Sequence, residues 1–352
     1  MNSRRALISL IETYHELNSS TVDELPTIPT ALGFHRYVAK NRPFIVRNGA
    51  RDWKATRLWN AKYLRETMRS RKVKVAITPL GNADAVVEDQ HGRIMFVEPY
   101  EIDEGFEEFL DYVQIDSSSC SSNISTHNGN VKYAQTQNDN LRAEYEALFA
   151  DVPPTIPFAT EALEQQPDAI NFWLGNHRST TALHKDNYEN IYVQIRGQKH
   201  FTLLPPVEAP SVNDVSLDRG RYRPGNGSDA TELIACPDET AEPVPVATWD
   251  PDDPEHRPSE FSRFSRPTHV TLNEGDMMYL PALWYHKVGQ SNGKEGFACS
   301  VNYWFDMSFD GGFWSTQSFI RDVVSSMALT VEYPELIVGD DNDAKRENVS
   351  TR

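Results

Sequence analysis

The residues most able to do chemistry are His184 and Asp186, held in the string TTALHKDNYEN with only Lys185 between them. In an extended strand alternate side chains share a face, so the imidazole and the carboxylate project together while Lys185 points away. Such a pair supplies two vertices of a metal site. A third ligand from another strand would complete one face of an octahedron and leave the opposite face open. That open face is what non-haem Fe(II) needs in order to take an organic co-substrate and dioxygen together. An isolated pair of this kind also arises by chance and carries little alone. The run GDMMYLPALWYHKV adds weight: it is rich in strand-forming residues, opens on a Gly-Asp turn and ends in His286. Trp284 shares strand parity with His286 and would give it an aromatic wall. A core histidine bonded to backbone is the plain alternative for each residue, but the two segments together favour a metal triad of His184, Asp186 and His286.

Several elements must position these groups. From about residue 170 the chain breaks into short strands rich in β-branched and aromatic residues: INFWLG, ENIYVQI, KHFTLL, HVTL, MMYLPALWYH and GFACSVNYWF. Before them, residues 1–25 read as an amphipathic helix through Leu7, Leu10, Ile11, Tyr14 and Leu17, and a Pro/Thr-rich link follows at 25–30. RPFIVRNG at 42–49 reads as a short strand closed by Asn-Gly, and Leu58 to Arg69 as a helix. Val73, Val75 and Ile77 alternate as a strand, residues 105–115 have helical spacing, and 117–123 reads as a loop. NLRAEYEALF at 140–149 reads as a helix capped by Asn or Asp. A Pro-, Asp-, Glu- and Gly-rich stretch at about 206–267 reads as a long surface excursion with one hairpin. A last amphipathic helix is expected at 313–330. Short strands flanked by helices predict a mainly β fold, a sandwich or barrel of the jelly-roll kind.

Composition limits the function classes. The chain has 352 residues and a formal charge of −17, which disfavours a phosphate backbone and so nucleic acid as a partner. It suits a basic protein segment, because opposite charge steers encounter, although solubility alone would also account for it. No apolar run is long enough to cross a bilayer, and the N-terminus lacks the pattern of a signal peptide. Three well-separated cysteines, Cys120, Cys236 and Cys299, argue for a reducing compartment, cytoplasmic or also nuclear, and against a disulfide framework or structural zinc.

The pattern of the two ligand segments, with a lysine on the strand after the first, resembles the JmjC-domain oxygenases. The strings RPFIVRNG, VAITPLGNADAVV, FVEPYE, NFWLG, LHKDNYENIYVQIRGQKHFTLLPP, YLPALWYHKV and VNYWFDM are similar to one small lysyl hydroxylase subfamily, JmjC domain-containing protein 7. The resemblance runs from about residue 40 to 320. It implies a double-stranded β-helix (jelly-roll or cupin) core and a division into an N-terminal helix and linker at 1–40, an oxygenase domain at 41–320 and a tail at 321–352. It implies Fe(II) on His184, Asp186 and His286, with 2-oxoglutarate and dioxygen as co-substrates. Lys199 matches the cation that binds the distal carboxylate of 2-oxoglutarate, helped by Thr181 and Tyr133. Asn190 and Asn302 match polar residues near metal and co-substrate. Trp284 and Trp304 are expected as pocket walls, and Lys185, Lys287 and His200 as surface or packing residues.

The resemblance further implies oxidative decarboxylation to succinate coupled to hydroxylation of a lysine carbon in a protein, with developmentally regulated GTP-binding proteins as the substrates. A pocket carboxylate would suit a lysyl ammonium. Asp84, Glu88 and Asp89 are candidates, each read as a surface group until placed. Two other readings are an N-methyl-lysine demethylase, using the same machinery, and a non-oxidative metal-dependent peptidase or binding cupin, which would need no Lys199. The apolar faces near 7–17 and 313–330 allow either a homodimer or packing within the chain.

Overall fold

The computed structural model describes residues 3–89, 92–118, 129–225 and 232–328. Its centre is two facing sheets. One is six-stranded and runs Asp23–Leu25, Phe44–Val46, Met277–Leu280, Tyr188–Arg196, Ala298–Asp306 and Ala169–Gly175 in spatial order. The other is five-stranded and runs Thr268–Leu272, Gln198–Leu204, Tyr285–Ser291, Thr180–His184 and Asn82–Ala83. The strands from Ala169–Gly175 to Gln198–Leu204 alternate between the sheets, and so do those from Thr268–Leu272 to Ala298–Asp306, which is the double-stranded β-helix expected of a jelly-roll.

The first sheet is covered on both faces, and its strands read as continuous buried runs rather than alternating ones. Its outer face packs on helices through Phe34, Trp59, Phe109, Tyr145 and Phe172, all with no exposed area. Between the sheets, Tyr133, Trp173, Tyr192, Phe201, Leu203, Leu272 and Met278 fill the barrel. The barrel is a packed core with a chamber at one end.

Local chemistry explains the ends of several elements. The helix Ala31–Lys40 starts on Thr30, whose hydroxyl accepts from the Gly33 N–H, and stops at Asn41 in the left-handed conformation (φ 48°). The strands Tyr188–Arg196 and Gln198–Leu204 turn at Gly197 (φ 67°), where a Cβ would come within 2.6 Å of the Ser291 carbonyl oxygen. Only glycine fits there.

The structure departs from the sequence reading in six places. The first helix ends at Leu17, and Asp23–Leu25 pairs in parallel with Phe44–Val46 instead of continuing it. The expected helix at 140–149 shrinks to Glu146–Phe149. Its intended caps are used elsewhere: Asp139 accepts from the Ile170 N–H, and Asn140 accepts from the Phe172 N–H while donating to the Phe172 carbonyl. Residues 117 and 118 belong to the helix Phe106–Ser118, and the rest of the expected loop lies outside the described residues. MMYLPALWYH is two strands, broken by a turn at Pro281–Trp284. The excursion carries two strand pairs, Asp214–Leu217 with Val244–Ala247 and Arg219–Pro224 with Leu233–Pro237. The second pair joins Ile94–Glu98 in parallel, so the excursion is stitched to the body of the fold. Finally, the strand carrying His184 ends at that residue, and Asp186 sits in the turn beyond it.

The terminal helices pack within the chain. Leu7 and Ile11 from Ser3–Leu17 and Ile320 from Phe313–Ala328 join Leu183, Leu204, Trp249, Phe261 and Tyr285 in one cluster outside the five-stranded sheet. Among the described residues no helix is long and apolar enough to cross a membrane.

Candidate metal and co-substrate site

The two ligand segments meet because Thr180–His184 and Tyr285–Ser291 are antiparallel neighbours with His184 opposite His286. Asp186 is brought to them by its own backbone: its carbonyl accepts from the Leu283 N–H at 2.8 Å, and Leu283 holds φ 67° in the turn before His286. A positive φ at a buried leucine is sterically costly and persists only where the surroundings impose it. The turn thus ties the aspartate's position to that of the second histidine.

Oδ2 of Asp186 lies 3.6 Å from Nε2 of His286 and 3.9 Å from Nε2 of His184. These are distances between three donors arranged around one point rather than ion pairs. Burial, with His184 beside it, pushes the His286 imidazole down to about 4, so it is neutral at ordinary pH. Each ring has its Nδ1 against a carbonyl oxygen, His184 on Ala182 at 2.8 Å and His286 on Trp284 at 3.0 Å. A carbonyl only accepts, so Nδ1 carries the proton and both Nε2 lone pairs face Asp186. Imidazoles with that tautomer beside a carboxylate fit a divalent iron.

Every residue assigned to metal or co-substrate in the sequence lines one inner chamber: Tyr133, Thr181, His184, Asp186, Asn190, Lys199, His286 and Asn302. Lys199 is 2% exposed and has no carboxylate partner among the described residues; its Nζ donates to the Tyr133 hydroxyl at 2.7 Å. Burial pushes this ammonium down to about 7. An unpaired cation enclosed in a barrel costs several kcal/mol. The arrangement is what a dicarboxylate would relieve, and so 2-oxoglutarate fits. Asn302 accepts from the Trp173 indole at 2.8 Å and donates to Asn190 Oδ1 at 3.1 Å, which fixes both amides on the barrel floor. Thr181 faces both this chamber and the cleft outside it. Trp304 walls the chamber, stacked on Tyr188 at 4.7 Å. Trp284 does not: the turn swings its indole away to donate to Asn41, because the strand parity assumed for it ends at Leu280.

A cleft of about 620 Å³ opens in front of the triad. Its walls include Asp84, Glu98, Glu101 and Gln135 on one side and Asp214 and Val244–Ala247 of the excursion on the other. Sequence reasoning missed most of these, since nothing in the composition of the excursion shows that it folds back over the site. Lys185, expected at the surface, also lines the cleft, where burial lowers its affinity for the proton while Asp214 opposes that. Lys287 and His200 are packing residues, paired with Asp250 and Asp252 and with Thr271 and Ser291 respectively. Of the three candidate acids only Asp84 reaches the cleft. Glu88 pairs with Arg257 and Asp89 with Arg93. Burial pushes Asp84 up to about 6; His184 opposes the rise, and Glu98, Glu101 and Asp186 add to it.

The family model described as a cupin-like domain matches residues 29–311. The human bifunctional peptidase and (3S)-lysyl hydroxylase JMJD7 is 37% identical over 284 residues, covering 80% of this chain and 83% of the relative. Lysine-specific demethylase JMJ32 of Arabidopsis thaliana is 35% identical over 308 residues, covering 84% and 85%. JmjC domain-containing protein E of Dictyostelium discoideum is 33% identical over 298 residues, covering 80% and 83%. Matched over four fifths or more of its length with relatives of this kind, and carrying a chamber that fits iron and 2-oxoglutarate, the chain belongs to the cupin-like JmjC family and is a 2-oxoglutarate-dependent dioxygenase.

Proposed function

We propose that the enzyme hydroxylates a carbon of a lysine side chain in a protein, and that its substrates are developmentally regulated GTP-binding proteins. The observation that carries the lysine reading is the cleft of about 620 Å³ in front of the triad: it is lined by Asp84, Glu98, Glu101, Asp186 and Asp214 against Lys185, Arg219 and Arg221, and that excess of carboxylates favours a cationic side chain. The named activity of the human relative supports hydroxylation. A relative named as a demethylase makes removal of an N-methyl group the second reading.

In this scheme His184, Asp186 and His286 hold Fe(II). Lys199, Tyr133 and Thr181 receive the distal carboxylate of 2-oxoglutarate, and Asn190 and Asn302 orient the co-substrate. Iron and 2-oxoglutarate, when bound, supply dioxygen activation coupled to decarboxylation. The chain contributes three things. The backbone-bonded imidazoles hold their Nε2 atoms on one point, Lys199 neutralises a buried carboxylate, and the walls of Trp173, Phe201 and Trp304 keep water from the chamber. A panel of lysine-containing GTPase peptides with the enzyme, iron, oxygen and 2-oxoglutarate tests the reading by product mass. Gain of one oxygen on a lysine is expected. Loss of a methyl group from N-methyl-lysine peptides, with no oxygen gained on unmodified ones, would overturn it in favour of demethylation.

A further inference from the structure

We infer that Asp84 and Gln135 form the subsite that holds the substrate's ammonium group, and that they select an unmodified primary amine over its methylated forms. The inference rests on the lysine reading above and deepens it.

The acids around the cleft are not equivalent. Glu98 is held by Arg219 and Arg221, with one carboxylate oxygen bonded to each. Asp186 belongs to the metal triad. Asp214 faces Lys185 and Arg321. Asp84 and Glu101 have no hydrogen bond or ion pair among the described residues, but Glu101 is exposed to solvent whereas Asp84 is part-buried beside the triad. Asp84 sits in a left-handed backbone conformation (φ 53°) between the strands Asn82–Ala83 and Ala85–Glu88. That conformation is sterically costly for a non-glycine residue and here goes with a carboxylate that lines the cleft. Its neighbour Ala83 pairs with Thr181, so Asp84 stands beside the strand that carries His184.

A second group points the same way independently. Gln135 lines the same cleft, is 7% exposed, and its Oε1 has no donor among the described residues. A buried amide oxygen without a donor is costly, and a half-turn of the amide at most presents it to a ligand. Two acceptors without donors, one charged, match an ammonium with three N–H groups. A trimethylated nitrogen offers them no hydrogen. Holding the nitrogen on Asp84 and Gln135 presents a chain methylene, rather than an N-substituent, to the iron.

The test uses the full-length iron enzyme and a peptide library with a central lysine and randomised flanks, read by mass, beside the same library bearing Nε-trimethyl-lysine. Asn tolerates a left-handed backbone, so Asp84→Asn removes the charge without straining the turn. It should raise KM for the lysine library roughly 10- to 100-fold, in line with a charge-assisted hydrogen bond, and Gln135→Leu should raise it several-fold. The wild-type preference for lysine over trimethyl-lysine should collapse in Asp84→Asn. Glu88→Gln, which removes the same charge from the outer surface, should change nothing. The Kd for 2-oxoglutarate reports that each variant is folded. Lysine hydroxylation with KM for Asp84→Asn within about threefold of wild type would overturn the subsite and leave the lysine reading standing. No oxygen gained on lysine by the wild type would overturn both.

Discussion

At the scale of single residues, the site depends on Asp186 in the triad and on Lys199 deeper in the chamber. Asp186 is the only carboxylate of the triad, and its loss leaves two imidazoles that hold a divalent cation poorly. Asp186→Ala is expected to abolish iron binding in an anaerobic titration, and turnover with it, while Tm stays within a few degrees because the side chain makes no packing contact of consequence. Lys199 gives a prediction with a sign. Its folded value of about 7 lies below the ordinary 10.5, so the fold carries a penalty that builds as pH falls from 10.5 to 7 and stays constant below. At neutral pH that penalty is at most about 5 kcal/mol. Lys199→Met should therefore raise Tm at pH 7, by less at pH 9, while weakening 2-oxoglutarate binding about 10- to 100-fold. In the wild type a bound dicarboxylate demands the ammonium, so Kd for 2-oxoglutarate should rise between pH 7 and 9. A calorimetric titration at several pH values measures both. The triad was legible in sequence because its residue types and the two segments that carry them are local, although Asp186 stands in the turn beyond the strand and strand alternation did not place it. The depth of Lys199 was not, since burial depends on strands that arrive about 70 to 90 residues later in the chain, from 268 to 291.

At the scale of elements, the chamber is set by how strands meet. Gly175 ends its strand against the co-substrate end of the barrel, where a Cβ would lie 2.6 Å from Tyr133 Cδ2 and 2.9 Å from both Gln290 Nε2 and Ser179 Oγ. Gly175→Ala should displace the Tyr133 ring, cost about 1–3 kcal/mol of stability in a denaturant titration, and weaken 2-oxoglutarate binding about tenfold. Element type was readable wherever β-branched and aromatic runs were long, as in Tyr188–Arg196 and Ala298–Asp306. It failed at 140–149, where helical spacing was real but Asp139 and Asn140 bond across to the Ala169–Gly175 strand rather than cap a helix. A capping side chain has several acceptor and donor choices, and only the tertiary arrangement decides among them.

At the scale of the whole molecule, the excursion at 206–267 turns an oxygenase chamber into a walled cleft. Its charge pattern suggested a surface loop, and nothing local revealed that Trp249 and Phe261 would bury beside the terminal helices. Trp249 is 4% exposed and donates to the Pro254 carbonyl at 3.1 Å. Trp249→Ala should cost about 3 kcal/mol and loosen the Val244–Ala247 wall. Steady-state kinetics should then show KM rising for the peptide and unchanged for 2-oxoglutarate.

The central claim is that iron and 2-oxoglutarate, held in the chamber of Lys199 and the triad, oxidise a lysine presented through the cleft. The most direct measurement follows succinate and peptide mass together in one reaction of the full-length enzyme with a lysine-bearing GTPase peptide. The account predicts one succinate formed for each oxygen gained on lysine. Peptide cleavage, or a loss of methyl, without succinate-coupled oxygen gain would contradict it.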